Sequence, residues 1–484
     1  MGVSPLTQQQ IDPSTLITDS SPKLSFKEKF CFGMGDVTGT FGTSVISLYY
    51  LKYLTDVLGL GAALAGVVMF ITNFYNAVND PFIGHLSDRT RSRWGRRRFY
   101  LLFFGIPTGL TYYLLWAIPR DWSMNGKFFA AIAASILYWT FFSLVSVPYS
   151  TLTIEMTDSY DERSKLAAYR MFVSIIGGLL AIAIPSILVP DLLQDASNLP
   201  EIHQGYLAAG LIIAVIVGLA PFLPFWGCRE RSTFRAVPGG VKKLAVLYLS
   251  MMKNKPFRYA TLSYMFTWGG FSVMTAFFPY YLESWLGIRD QMLFLMIVAL
   301  LFVAAAAFVP LWLFLMQKIG KKLSYNLGMG ALALCSLLIM LVQPGQIASV
   351  FVMVFLLSIG VSAAHVVPQS IIPDTIDISR LETGYDSEGI YYGFQSFAQQ
   401  VATAGFVGLA GIGLGLSGYI KLDDLLPGQM QPDSAIAAIR IIFSAIPAVF
   451  MGIGVVLMFF MKLDRKTHAE TIAAIHRKDG ADGD

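Results

Sequence analysis

Two carboxylates, Asp36 and Asp80, stand inside apolar runs of this chain. A charge near the middle of a membrane costs about 2.5 to 3.5 kcal/mol on insertion scales, so it persists where function or pairing requires it. Around Asp80 the sequence reads Asn76-Ala77-Val78-Asn79-Asp80-Pro81. On a helix Asn76 and Asp80 are four residues apart and share a face, with Asn79 beside them. They present amide and carboxylate oxygens, hard ligands of the kind Na⁺ prefers. Pro81 removes a backbone hydrogen bond and so frees a carbonyl in the preceding turn. One carboxylate among neutral oxygens balances one monovalent cation. It is equally suited to carry a proton, because burial favours its neutral form. Asp36, in the run before, falls at a depth similar to Asp80, and Arg170 near the start of a later run reaches the same level. The other role open to both carboxylates is structural, as anchors paired to helix ends or hydroxyls.

A second constellation is basic: Gly84-His85-Leu86-Ser87-Asp88-Arg89-Thr90-Arg91-Ser92-Arg93-Trp94-Gly95-Arg96-Arg97-Arg98. Basic side chains at a helix junction pair with carboxylates and helix C-termini and can lock one face of a protein until the pairs break. Asp88, Arg89, Gly95, Arg96 and Arg97 are the gating candidates in this stretch. Carboxylates within reach are Glu155, Asp158, Asp161 and Glu162 after one run, and Asp374, Asp377, Glu382, Asp386 and Glu388, with Arg380 among them, after another. The plainer role for most of the arginines is to set topology.

The elements that carry these residues follow from composition. Of 484 residues, 55% are hydrophobic and 14% charged, against roughly 25% charged in an ordinary soluble domain. Mean hydropathy is +0.59. A spanning helix needs about 20 apolar residues plus a connector, so this length supplies about twelve. Apolar runs fall at about 30–55, 63–87, 99–118, 128–152, 166–189 and 205–227, and again at 259–285, 291–316, 323–342, 348–372, 388–416 and 437–461. Runs this long without alternation are not barrel strands. The expectation is an all-α polytopic membrane protein: a disordered cytoplasmic tail 1–29, six helices over 30–228, a central cytoplasmic loop 229–258, six helices over 259–462 and a cytoplasmic tail 463–484.

With both termini inside, all but six of the 35 Lys and Arg lie on the cytoplasmic side, the six being Lys52, Arg120, Lys127, Arg289, Lys421 and Arg440. Net charge of +4 therefore reflects topology and gives no reason to expect nucleic acid. Three cysteines, Cys31, Cys228 and Cys335, form neither a disulfide framework nor a zinc spacing. No phosphate-binding glycine loop, His/Cys metal spacing or nucleophile-base pair stands out, so neither an enzyme nor a cofactor is expected.

The halves repeat. Tyr49-Tyr50-Leu51 returns as Tyr280-Tyr281-Leu282, Gly95-Arg96-Arg97 as Gly320-Lys321-Lys322, and Val147-Pro148 with Ser150 as Val367-Pro368 with Ser370. A parallel repeat of six helices is how major facilitator transporters are built, with the substrate near the midplane between halves.

Four patches, in order along the chain, carry a more specific resemblance. They are Gly35-Asp36 with Tyr53-Leu54-Thr55-Asp56-Val57-Leu58-Gly59-Leu60; Asn79-Asp80-Pro81 with the basic stretch from Asp88 to Arg98; Val147-Pro148-Tyr149 with Asp161-Glu162-Arg163 and Tyr169-Arg170; and Asp374-Thr375-Ile376-Asp377 with Thr383-Gly384 and Glu388-Gly389. The chain resembles the glycoside-pentoside-hexuronide:cation symporters, the melibiose-carrier branch of the major facilitator superfamily. The resemblance implies a cation site lined by Asp80, Asn76 and Asn79, with Ser143 supplying a hydroxyl. Asn76 stands where the melibiose carriers have a second aspartate. The positions that grip sugar hydroxyls become Thr40, Ser146 and Gln400, an aromatic position becomes His365, and Arg170 is retained. Charged, bidentate groups typically hold sugars, so these replacements argue against a galactoside. The remaining polar set is Thr40, Ser146, Tyr149, Ser150, His365, Gln395 and Gln400. For His365 a hydrogen-bonded place in the core is the competing role.

Cation-coupled lysophospholipid carriers of the same branch are resembled in Val147-Pro148-Tyr149-Ser150 and Tyr169-Arg170-Met171. The expectation is a monomeric multi-pass protein of the cell membrane. It would couple a sugar- or glycoside-like solute to Na⁺ or H⁺ by alternating access, with a lysophospholipid or other amphiphile as the second candidate cargo. A transport-inactive receptor or scaffold is the third reading.

Overall fold

The computed structural model describes residues 23–157, 160–189, 199–231, 253–383, 388–421, 424–425 and 429–461. Most of the expected tails and of the central connector lie outside them. Twelve helices are described. α1 spans residues 26–57 in segments, Phe26–Gly35, Val37–Val45, Ile46–Tyr50 and Tyr53–Val57. There follow α2 (Ala62–Arg89), α3 (Arg98–Trp116), α4 (Met124–Met156), α5 (Tyr160–Leu188) and α6 (Leu199–Leu219, with a short Phe222–Gly227 after it). The second half holds α7 (Lys255–Tyr280, continuing as Tyr281–Trp285), α8 (Gln291–Ile319), α9 (Lys321–Leu338), α10 (Ile347–Thr383), α11 (Glu388–Leu416) and α12 (residues 433–460). Ten of these are long and apolar enough to cross a membrane; α1, broken at Asp36, and α7, rich in hydroxyls, complete the twelve.

Local signals set the ends. Ser25 caps α1 in a reciprocal box with Glu28, and Leu24 is already buried. Residues 23–29 are thus ordered, not part of a disordered tail, because Ser25-Phe26-Lys27-Glu28 is a helix start. Asn254 and Asp290 cap α7 and α8 through their side chains. Gly320 at φ 86° turns α8 directly into α9. Pro81, Pro107, Pro148, Pro185, Pro279 and Pro310 sit inside spanning helices. Neighbouring helices make such interruptions tolerable in a membrane.

The helix pairings repeat as the sequence does. In the first bundle α2 packs on α4, α3 on α4 and α6, and α1 on α5 and α6; in the second α8 packs on α10, α9 on α10 and α12, and α7 on α11 and α12. The bundles meet through α2 on α11, its symmetry counterpart α5 on α8, and α1 on α7. An even number of crossings puts both chain ends on one face, the terminal face; the other is the far face. Large apolar side chains such as Leu110, Phe129, Ile187, Val303 and Phe459 are exposed, as expected of a lipid-facing belt.

Toward the far face α2 and α11 touch backbone to backbone. A Cβ on Gly66 would lie 2.7 Å from the Gly408 carbonyl oxygen and 2.8 Å from the Ile412 nitrogen, and one on Gly411 would lie 2.7 Å from the Gly66 Cα. Small residues permit this approach, the usual basis of close helix packing in lipid. Gly66→Ala is expected to cost about 1 to 3 kcal/mol of far-face closure, since backbone cannot yield as a side chain does. Gly405→Ala on the same α11 meets nothing within 4 Å and serves as control. A lowered melting temperature for the first variant alone checks this.

Candidate functional site

At Asp80, three helices bring their side chains together. Ser143 of α4 donates to Asp80 Oδ1 at 2.5 Å, and the amide nitrogen of Gln400, from α11 of the other bundle, donates to Asp80 Oδ2 at 2.6 Å. Ser143 Oγ also lies 3.3 Å from Asn76 Oδ1. A hydroxyl has one hydrogen, so Asp80, Asn76 and Ser143 converge three oxygens on a single proton. The place is rich in acceptors and poor in donors. The partners given by the structure for Asp80 are neutral, and among the described residues no Lys or Arg pairs with it. Nor is any group of three or more His, Cys, Asp or Glu arranged among them to hold a metal ion. Asn79 turns away: its amide donates to the Trp139 carbonyl at 3.4 Å.

Asp36 belongs to a different cluster. Its carboxylate accepts from Arg170 Nε at 2.6 Å and from Thr40 at 3.1 Å, and Thr40 continues to Ser174 at 3.1 Å. The expectation that Asp36 shares the Asp80 site therefore gives way to an ion pair across α1 and α5, because the arginine sits on the facing helix. The Arg170 side chain is 44% exposed, stands 5.7 Å from the Tyr149 ring centre, and uses one nitrogen on Asp36. Tyr149 is an anchor, its hydroxyl donating to the Phe32 carbonyl at 2.6 Å. Ser150 bonds its own helix at the Val147 carbonyl, and Ser146 is half-buried.

In the second bundle, His365 of α10 is exposed, its Nδ1 2.9 Å from the Val361 carbonyl, with Trp268 and Phe271 edge-on at 5.2 Å each. Gln369 donates to the Tyr264 hydroxyl at 3.4 Å, and Tyr264 donates to Gln399 at 2.9 Å. Gln395 is buried. Gln400, expected with the polar set, joins Asp80 instead. Trp268, Phe271 and Gln369 went unnoticed in the sequence, since an aromatic at helical spacing there reads as core.

On the terminal face, Arg96 and Arg97 both reach Glu155, at 2.6 and 2.8 Å, and Arg97 also donates to Ser87. Glu230 accepts from the backbone amides of Arg96, Arg97 and Arg98 at 2.8 to 3.0 Å, filling the hollow over Gly95. Lys321 pairs with Asp374 at 2.6 Å in the second bundle, the counterpart of Arg96 with Glu155. These bonds lie within each bundle, and the expected lock from Arg96 and Arg97 to Asp377, Glu382, Asp386 and Glu388 falls outside the described residues. Arg89 is exposed. The side chains of Asp88, Asp377, Arg380 and Glu388 lie outside the described residues.

Glu162 fastens the chain's start to α5, accepting from Lys165 at 2.7 Å, Lys29 at 2.8 Å and the Leu24 amide at 3.0 Å. The Lys165 and Lys29 ammonium groups hold its carboxyl at about 2, against an ordinary 4.5. A carboxyl depressed on folding contributes stability above its unfolded value and loses it as pH falls through the folded one. The native protein should thus out-melt Glu162→Gln at pH 7, with the difference closing between about pH 4.5 and 2, as thermal scans against pH would read.

The far face carries a charge cluster that the sequence reading passed over. Lys52 of α1 bonds Asp56 at 2.6 Å and also Glu283 of α7; its side chain is 3% exposed. Tyr419 donates to both Asp56 oxygens, at 3.0 and 3.1 Å, and Thr55 shares a hydrogen bond of 2.7 Å with the Tyr280 hydroxyl. Lys52 follows Tyr49-Tyr50-Leu51 as Glu283 follows Tyr280-Tyr281-Leu282. The repeat thus places opposite charges at equivalent positions, and they meet where the halves meet. The backbone widens into π-helical turns at Tyr53–Val57 and Tyr281–Trp285, a form found mostly at functional sites. Gln291 also bonds the Val189 carbonyl across the bundles. Bonds between bundles seen among the described residues thus lie at Asp80 or farther toward the far face.

Comparison with known proteins agrees with this architecture. The family profile described as MFS/sugar transport protein matches residues 31–465. A protein described as an uncharacterized symporter of Synechocystis sp. is 31% identical, covering 93% of this chain and 96% of its own. The sodium-dependent lysophosphatidylcholine symporter 1-A of Danio rerio is 26% identical (95% and 90% covered), and the glucuronide carrier protein homolog of Escherichia coli 27% (94% and 96%). Among solved structures, a bacterial homolog of the human lysosomal transporter Spinster superposes with a TM-score of 0.65 at 14% identity, covering 90% of this chain and 95% of that one. With two six-helix bundles and a profile match along nearly its whole length, the chain belongs to the MFS/sugar transport protein family of membrane transporters.

Proposed function

We propose that the protein is a secondary active symporter that moves a sugar- or glycoside-like small solute by alternating access, coupled to Na⁺ or H⁺ at Asp80. The observation that carries this is the Asp80 cluster: a carboxylate in a spanning helix, given oxygens in excess of hydrogens and no basic partner among the described residues. An uncompensated charge at this depth is costly, and a bound cation or proton removes the cost. Relatives named as symporters support the coupling. The concentration of Lys and Arg in the loops of one face supports a cell-membrane protein with both termini cytoplasmic, which makes the far face external.

The solute lies between Arg170 with Asp36 and Thr40 on one bundle and His365, Trp268 and Gln369 on the other. The Arg170–Asp36 pair is neutral overall and leaves guanidinium nitrogens for a hydroxylated solute, as suits a relative named a glucuronide carrier homolog. A lysophospholipid is the second reading. The apolar wall of Trp268 and Phe271 favours it, as does the likeness to lysophosphatidylcholine symporters.

Thermal stabilisation against glycosides, glucuronides and lysophospholipids separates the two. A ligand at 100 times its Kd adds about 2.7 kcal/mol. Stabilisation by glycosides or glucuronides, diminished in Arg170→Ala, is expected. A response to lysophospholipids alone would replace the cargo.

A further inference from the structure

We propose that Gln400 is itself a ligand of the coupling cation, an amide lent to the Asp80 site by the opposite bundle. The inference rests on the reading of Asp80 as the cation site and adds what completes it. Gln400 Nε2 donates to Asp80 Oδ2 at 2.6 Å, while its Oε1 is buried without a hydrogen-bond partner. Buried carbonyls are rarely left so, and an unsatisfied one calls for a partner in another state. The unpaired oxygen and the bonded nitrogen belong to one planar group. Half a turn about the terminal side-chain bond exchanges them at almost no change of shape.

As it stands here the amide turns its NH₂ to the carboxylate. With Na⁺ on Asp80, the NH₂ would face a cation and be repelled, and the turned amide offers its oxygen instead. Asp80, Asn76 and Ser143 already contribute oxygens from α2 and α4; Gln400 supplies one from α11. Carboxylate, amide and hydroxyl oxygens are hard ligands suited to an alkali cation. A ligand set drawn from both bundles also ties the ion to the state in which they stand together at this depth. Bound Na⁺ would then favour the occluded form by its differential affinity for that form.

The test uses the purified full-length protein, titrated with NaCl against choline chloride at constant ionic strength, with melting temperature as readout. In the native protein Na⁺ is expected to raise the melting temperature. Gln400→Met, which keeps length and loses both polar atoms, is expected to need about tenfold more Na⁺, and Asp80→Asn to show no Na⁺ response. Gln400→Glu, which keeps an oxygen, is expected to respond at the native concentration or below it. If Gln400→Met does not fold, Gln400→Glu decides: a response weakened tenfold or more overturns the proposal. A Gln400→Met titration matching the native one, with Asp80→Asn silent, removes Gln400 from the site and leaves Asp80 standing. An equal rise with Na⁺ in Asp80→Asn and the native protein would remove the Asp80 reading and this one with it, whereas no rise in either would overturn this proposal and leave Asp80 to a proton.

Discussion

Asp80→Asn is expected to abolish cation-driven accumulation of solute, reducing the concentrative component by about 100-fold or more, while solute-for-solute exchange survives. The substitution is nearly isosteric. Its new amide can still accept from Ser143 and can donate to Gln400 once that side chain turns, so helix packing between α2, α4 and α11 has no reason to change. What disappears is the charge. Without it the oxygens of Asn76 and Ser143 face a neutral group. Nothing then offsets the dehydration of a monovalent cation, and no group can carry a proton across. Reconstituted vesicles loaded with solute give the two readouts side by side, net uptake under a cation gradient and exchange without one. Loss of both would point to a structural role for Asp80; loss of the first alone fits coupling.

Lys52→Met is expected to give the second largest effect, on the conformational equilibrium. Lys52 neutralises Asp56 and Glu283 at once, in a place where its own side chain is 3% exposed and Asp56 5% exposed. Removing one member of a buried pair costs about 3 to 5 kcal/mol, because the charges left behind keep their desolvation penalty and lose their partner. Here two like charges remain, and separating α1 from α7 at the far face relieves them. The closed form should lose about 100-fold or more in population relative to the far-face-open form, at 1.4 kcal/mol per tenfold. Spin labels at the far-face ends of α1 and α7 would report a longer distance distribution. Exchanging the charges as Lys52→Glu with Glu283→Lys should recover most of the closed population, which a generally damaged helix would not do.

The number of helices, their repeat and the Asp80 face were legible in the chain because each depends on local spacing. Apolar run length sets a span, and a separation of four residues sets a shared face. Asn76 with Asp80 needed nothing more, and the Ser143 hydroxyl came with the family resemblance. Which helices face each other is not a local property, and the misplacements arose there. Asp36 was set beside Asp80 by depth, yet the helix it faces carries Arg170. Gln400 was grouped with the solute residues, although α11 packs on α2 and brings it to Asp80. Arg96 and Arg97 meet Glu155 of their own bundle, one of the carboxylates the chain offered them. Two signals stood in the sequence unread. Ser25 and Glu28 announced the start of α1. Extending the repeated Tyr-Tyr-Leu by one residue would have set Lys52 against Glu283.

Uptake by the native protein in proteoliposomes under imposed gradients tests the central claim most directly, using a radiolabelled solute from the class that stabilises the protein. The coupling at Asp80 predicts accumulation above equilibrium under an inward Na⁺ or proton gradient, and collapse to equilibrium when an ionophore dissipates that gradient. Solute that only equilibrates, at a rate the ionophore leaves unchanged, would contradict it.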